Sequence, residues 1–250
     1  MNELHGARAM TTAEIEPDTD LPLTDESIYE RLVAAILDQR LPPGTKLVSD
    51  RLAQAFGVSR TRIHPVLVRL ANERIVTFTP RRGAAVAQPT VEEAREVFEV
   101  RRMIEPRLVA LFIANASGEA IQSLADCIAS EEAAHTAGDT ARAVRLTGEF
   151  HLRIAEGSGH QTLGRVLREL VFRTSLIIMR YGTDTGAVSQ GSPICACNEH
   201  RRLLDAIRLG DSTEAARFMR EHLAQIEAQL RFTQRPSGPP DLSRLFGPMG

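Results

Sequence analysis

LVSDRLAQAFGVSRTRIHPVLVRLANERIVTFTPRRGAAV, residues Leu47–Val86, decides how this chain is read. Leu52, Ala53 and Phe56 recur at helical spacing, with Ser49 or Asp50 expected to cap their helix, and Gly57 supplies a turn. Ser59 opens a second helix whose inward stripe is Ile63, Val66, Leu67 and Leu70. Two short β-prone runs come next, Ile75–Phe78 and Ala84–Ala87, joined by a tip that contains Arg81, Arg82 and Gly83. If the apolar stripe of the second helix faces a core, Arg60, Thr61, Arg62, His64 and Arg69 face outward. Arg can fork to a guanine edge or clasp phosphate, Thr can meet a thymine methyl, and a helix N-terminus favours phosphate. A basic tip with Gly suits a minor groove or a backbone contact. Arg51 on the preceding helix and Ser59 at the cap complete the candidate contact set. Helix, turn, helix and basic hairpin in this order predict a winged helix-turn-helix that reads double-stranded DNA.

Charge is distributed to match. The 250 residues carry a formal net charge of −2, but residues 24–89 hold ten Arg/Lys against six Asp/Glu. Residues 90–234 reverse the balance, with seventeen against twenty. Positive charge therefore gathers on the DNA-reading pattern. A chain with 43% hydrophobic residues, 4% aromatic residues and no Trp has the makings of two modest cores packed by aliphatic side chains. The longest apolar run, Leu108–Ala114, stops at Asn115, short of the roughly 18–20 residues a membrane span requires. Nothing at the start reads as an export signal, so no membrane partner is expected. Cys127, Cys195 and Cys197 lack the paired spacing of a disulfide framework or a zinc knuckle and read as inert thiols.

Four segments are expected: a disordered arm over 1–22, the winged helix-turn-helix over 23–88, a helical domain over 89–234, and a flexible tail over 235–250 rich in Pro and Gly. The seam falls at Ala87-Gln88-Pro89, after which Thr90 and Glu93 form a capping-box pattern. Beyond it, apolar residues three and four apart predict six helices at about 90–115, 119–137, 140–157, 160–181, 195–209 and 212–232. The fold class is mainly α, a wing-bearing head followed by an all-α bundle. Leu242, Leu245 and Phe246 are the tail residues able to dock.

His151, His200 and His222 lie on three of these helices, each on the apolar stripe of its own helix. A bundle would turn all three rings inward, where buried imidazoles need partners. Hydrogen-bonded core histidines are the plain alternative; one shared cation satisfies all three rings together.

The head resembles the GntR family of bacterial transcriptional regulators through LPPGTKL (Leu41–Leu47), LAQAFGVSRT (Leu52–Thr61), LVRLANERIV (Leu67–Val76) and PRRG (Pro80–Gly83). Where that family usually places Arg-Glu in the reading helix, this chain has His64-Pro65, so a local kink or a short N-terminal turn is expected. Residues 90–232 are similar to the FadR C-terminal (FCD) type of ligand-binding bundle through EVRRMIEP (Glu99–Pro106), EFHLRIAEGSGH (Glu149–His160), NEHRRLLDAIRLGD (Asn198–Asp211) and MREHL (Met219–Leu223).

The resemblance implies a divalent metal, with Zn or Ni fitting the donors, on His151, His200 and His222. The Asp that would be the fourth ligand is Thr147 here, which leaves room for water or an effector carboxylate. Arg101 falls where such bundles present a cation to the pocket and is the expected partner of a small organic acid, beside Thr147. A surface salt bridge to Glu105 is the other reading of Arg101. The likeness further implies a cytoplasmic, nucleoid-associated bacterial regulator acting as a homodimer on operator DNA, and not an enzyme. A three-histidine hydrolase and a bundle serving dimerisation alone are the competing readings.

Overall fold

The computed structural model describes residues 23–79, 81, 83–182, 197–232 and 242–246. The expected arm over 1–22, Cys195 and Arg82 lie outside the described residues.

Thr24 caps α1 (Asp25–Leu37) by accepting a hydrogen bond from the Ser27 N–H, and Ile28, Leu32, Ala35 and Ile36 form its buried stripe. The chain then lays down β1 (Lys46–Leu47), α2 (Ser49–Phe56), α3 (Arg60–Asn72), β2 (Val76–Thr79) and β3 (Gly83–Val86). Gly57 ends α2 at φ 65°, a left-handed conformation that costs glycine little. The cap of α2 is Val48, not Ser49 or Asp50, and no side chain bonds to its first N–H groups. The wing gains a strand that hydropathy alone did not reveal. β1 pairs antiparallel with β3, giving a sheet of order β1-β3-β2. Two residues are too few to show alternation; β1 is held by the Gly44 N–H donating to Val86 O and the Val86 N–H to Thr45 O.

α3 runs without a break from Arg60 to Asn72 with Pro65 inside it, so the first turn is not cut off at the proline. Thr61, whose carbonyl loses its helical donor, is exposed together with Pro65, and water can take that place.

The second set of helices is α4 (Val91–Asn115), α5 (Gly118–Thr136), α6 (Thr140–Gly157), α7 (Gln161–Tyr181), α8 (Cys197–Arg208) and α9 (Ser212–Ala228). Thr90, Ser117, Asp139 and Asp211 cap α4, α5, α6 and α9 by accepting from backbone N–H groups in the first turn. α4 packs along α9, α7 and α6, and α5 lies between α6 and α8. Phe98, Phe112, Phe150, Leu203 and Met219 are among the residues that fill the core they share.

Part of the segment expected as a flexible tail is ordered: α10 (Leu242–Phe246) packs on α2. Phe246 stacks on Phe56 with ring centroids 4.7 Å apart, and Leu242 joins the same core. Burying an aromatic ring and a leucine offsets the entropy of ordering this short helix. Leu176 of α7 also enters this head core, while Arg145 donates to Asp38 at 2.9 Å and Arg173 to the carbonyl of Arg74 at 2.5 Å. Head and bundle thus share a packed seam.

Candidate nucleic-acid interface and metal centre

α3 presents its charged residues in two ways. Arg60 is exposed and meets Asp50 at 3.4 Å, with both side chains mostly in solvent. Arg51, Thr61 and His64 are exposed as well. The Ser59 hydroxyl lies 2.7 Å from Thr61 Oγ1 and bonds to no first-turn N–H; the Arg62 N–H donates to the Ser59 carbonyl at 3.0 Å, and a helix N-terminus of this kind favours an anion. Arg81 turns at φ 64° at the wing tip, exposed, and Gly83 comes after it at φ 77°.

Arg62 and Arg69, partly exposed, are paired with other residues of the head. Arg62 donates to Asp25 Oδ1 at 2.9 and 2.7 Å and to the carbonyl of Leu23 at 2.6 Å. Arg69 donates to Glu26 at 2.5 Å and Glu73 at 3.3 Å, with its guanidinium 3.7 Å from the Tyr29 ring centre. The Tyr29 hydroxyl donates to Glu73, and burial with that bond pushes it up to about 12. These contacts clamp α1 to α3, which helical periodicity could not anticipate because the partners lie on another element.

In the bundle, α6, α8 and α9 bring His151, His200 and His222 together, all buried, with their ligand-type nitrogens within 4.8 Å of one another. Each ring is held from behind by a carboxylate. Nδ1 of His151 donates to Glu105 at 2.5 Å, that of His200 to Glu131 at 2.8 Å, and that of His222 to Glu199 at 2.7 Å. Because a carboxylate only accepts, the protons sit on Nδ1 and the Nε2 lone pairs are free. His151 Nε2 and His222 Nε2 are 3.1 Å apart, and His200 Nε2 is buried with no hydrogen-bond partner among the described residues. Facing lone pairs with no proton between them repel, and a cation reverses the sign. The donor set therefore fits a divalent metal of the zinc type, and the carboxylate–imidazole pairs are what orients such ligands.

Burial keeps the imidazoles of His151 and His222 neutral. Burial pushes His151 down to about 3 against the pull of Glu105, and burial likewise lowers His222 despite Glu199. Burial alone would raise the Glu105 carboxyl, but Arg101 and His151 together hold it at about 2.

Arg101 does pair with Glu105, at 2.5 Å, but in the interior rather than at the surface. It also donates to Thr174 Oγ1 at 3.1 Å, and its remaining Nη2 is buried without a partner among the described residues. Thr147 is placed differently from the expected ligand position. Its hydroxyl lies 2.5 Å from Glu131 Oε1 and 3.1 Å from the Ala143 carbonyl, so it steadies the carboxylate behind His200. Sequence reasoning missed Glu105, Glu131 and Glu199. Glu105 was visible only as a helical neighbour of Arg101, and no spacing links Glu131 to His200 or Glu199 to His222.

The family model described as "Bacterial regulatory proteins, gntR family" matches residues 24–86, and the FCD domain model matches 96–225. The HTH-type transcriptional regulator YdhC of Bacillus subtilis is 24% identical over 199 residues, 78% of this chain and 85% of that protein. The HTH-type transcriptional repressor GlaR of Escherichia coli is 24% identical over 216 residues, 81% of this chain and 94% of GlaR. Among solved structures, E. coli McbR/YncC superposes with TM-score 0.70 at 20% identity, covering 80% of this chain and 93% of that one. The chain belongs to the GntR family, with an FCD domain behind its winged helix-turn-helix, and is a DNA-binding transcriptional regulator with an effector-binding domain.

Proposed function

We propose that residues 23–88 bind operator DNA and that residues 89–234 form the sensing and dimerisation domain of a homodimer acting in the bacterial cytoplasm, at the nucleoid. A divalent metal sits on His151, His200 and His222, and a small organic acid binds beside it. The observation that carries this reading is the convergence of three deprotonated Nε2 atoms whose Nδ1 protons are committed to Glu105, Glu131 and Glu199. When bound, the metal supplies a Lewis-acidic anchor for a carboxylate. Arg101 supports the acid as effector: a buried guanidinium whose Nη2 has no partner among the described residues is relieved by an anion. Thr147 contributes by fixing Glu131 rather than as a fourth ligand.

On the DNA side, Arg51, Ser59, Arg60, Thr61, His64, Arg81, Arg82 and Gly83 form the contact surface, and Arg62 and Arg69 hold the reading helix in place. All three carboxylates stand behind the rings, on the Nδ1 side, which favours binding over hydrolysis, and we read the protein as no enzyme. Effector and DNA affinities must be coupled, since a ligand that binds both head arrangements equally shifts nothing.

The test combines two measurements on purified full-length protein. Elemental analysis with a thermal-shift screen of carboxylic acids should show bound metal and a hit worth about 2.7 kcal/mol near a hundred times the dissociation constant. Titration onto the DNA upstream of its own gene should show sequence preference over random DNA, a steep salt dependence, and an affinity changed by that hit. Metal-free protein with no hit leaves a bundle for dimerisation alone.

A further inference from the structure

A second group of ligand-type side chains lies next to the three histidines without being part of them. Glu131 and His135 are one turn apart on α5 and therefore share a face. Cys197, where α8 begins, comes over that face. A carboxylate oxygen of Glu131, a ring nitrogen of His135 and Sγ of Cys197 all lie within 4.8 Å of one another. Glu131 and Cys197 are buried. His135 is half-buried, and its Nε2 is shut off from solvent with no hydrogen-bond partner among the described residues. A shielded imidazole nitrogen left without such a partner costs free energy and is available for coordination.

Sulfur, nitrogen and carboxylate donors in one place select against Mg and Ca, which take oxygen, and for borderline-soft ions. We propose that Glu131, His135 and Cys197 form a second cation site, for a divalent ion of the zinc or cobalt class. Coordination takes Cys197 as thiolate, its proton passing to solvent, and leaves a position open for water. Cysteine spacing gave no hint of this, because the thiol's partners come from another helix.

The two sites share one residue. Glu131 accepts from His200 Nδ1 through Oε2 and from Thr147 through Oε1, and each oxygen keeps a second lone pair. A cation there draws electron density from the carboxylate that makes His200 a strong donor. Filling the outer site therefore weakens the inner one, and by linkage the reverse holds. The geometry makes the bundle responsive to metal supply as well as to an organic acid.

Cobalt titration of chelator-stripped full-length protein tests this, with absorption and elemental analysis read together. The expected result is a thiolate-to-cobalt charge-transfer band and two equivalents per chain. Cys197→Ser and, as a milder change at a half-buried position, His135→Gln should each remove the band and one equivalent. His151→Asn should remove the other equivalent and leave the band. Absence of the band in the unmodified protein, or its persistence in both Cys197→Ser and His135→Gln, overturns the proposal. One equivalent with the band would instead sink the three-histidine reading and leave this one standing.

Discussion

Arg60 and Arg69 occupy the same helix and use their charge differently. The pair that Arg60 makes with Asp50 is open to solvent on both sides, so it is worth at most about 1 kcal/mol and yields readily to phosphate. Arg69 is held by Glu26, Glu73 and the Tyr29 ring. Replacing Arg60 by Ala should reduce the slope of log affinity against log salt by about 0.9, the value of one phosphate contact. Arg69→Ala should leave the slope alone and lower the thermal midpoint of the head. Equal slopes for Arg60→Ala and the unmodified protein would remove Arg60 from the interface. In the bundle, Glu199 acts only through His222 and is partly exposed, so Glu199→Gln should fold normally. Isothermal titration should find its metal affinity about 10- to 100-fold lower, the usual loss when the carboxylate behind an imidazole is removed. An unchanged affinity would mean that the ring needs no such support.

At the level of the element, α3 is the instructive case. Pro65 deprives the Thr61 carbonyl of its donor, yet the helix continues to Asn72, carried by Ile63, Val66, Leu67 and Leu70 in the core. Pro65→Ala should therefore stabilise the head, by up to about 3 kcal/mol on host–guest scales, visible in denaturant unfolding. A destabilised variant would show that the ring makes a contact of its own. Elements with several turns were readable because their apolar period repeats: all six bundle helices fall within a few residues of where the pattern puts them. β1 was not readable, since two residues carry no period. Nor was the docking of Leu242–Phe246 decided by local sequence, because the surface that receives it is α2. The candidate site divides in the same way. The three histidines were legible from their own helices, whereas Glu105, Glu131, Glu199, His135 and Cys197 acquire their roles only when helices distant in sequence are packed together.

For the molecule as a whole, acid is the natural stress. His151 is held at about 3 and His222 below the ordinary 6.5, so the unfolded chain takes up protons there before the folded one does. Stability should fall as pH drops below about 6.5, and Glu105, at about 2 in the fold, adds a further loss below about 4.5. Protons also compete with any cation for Nε2, so metal retention should decline over the same range. Calorimetry of the stripped protein from pH 8 to pH 5 should show a flat midpoint and then a decline. A midpoint that is unchanged at pH 5 would mean the rings are charged in the fold.

The order of synthesis has a bearing on the contact between Phe56 and Phe246. Residues of α2 leave the ribosome long before those of α10, so during translation the nascent head displays a bare aromatic face. Until the later segment arrives, that face is a place for a chaperone to hold, or for a neighbouring nascent chain to stick.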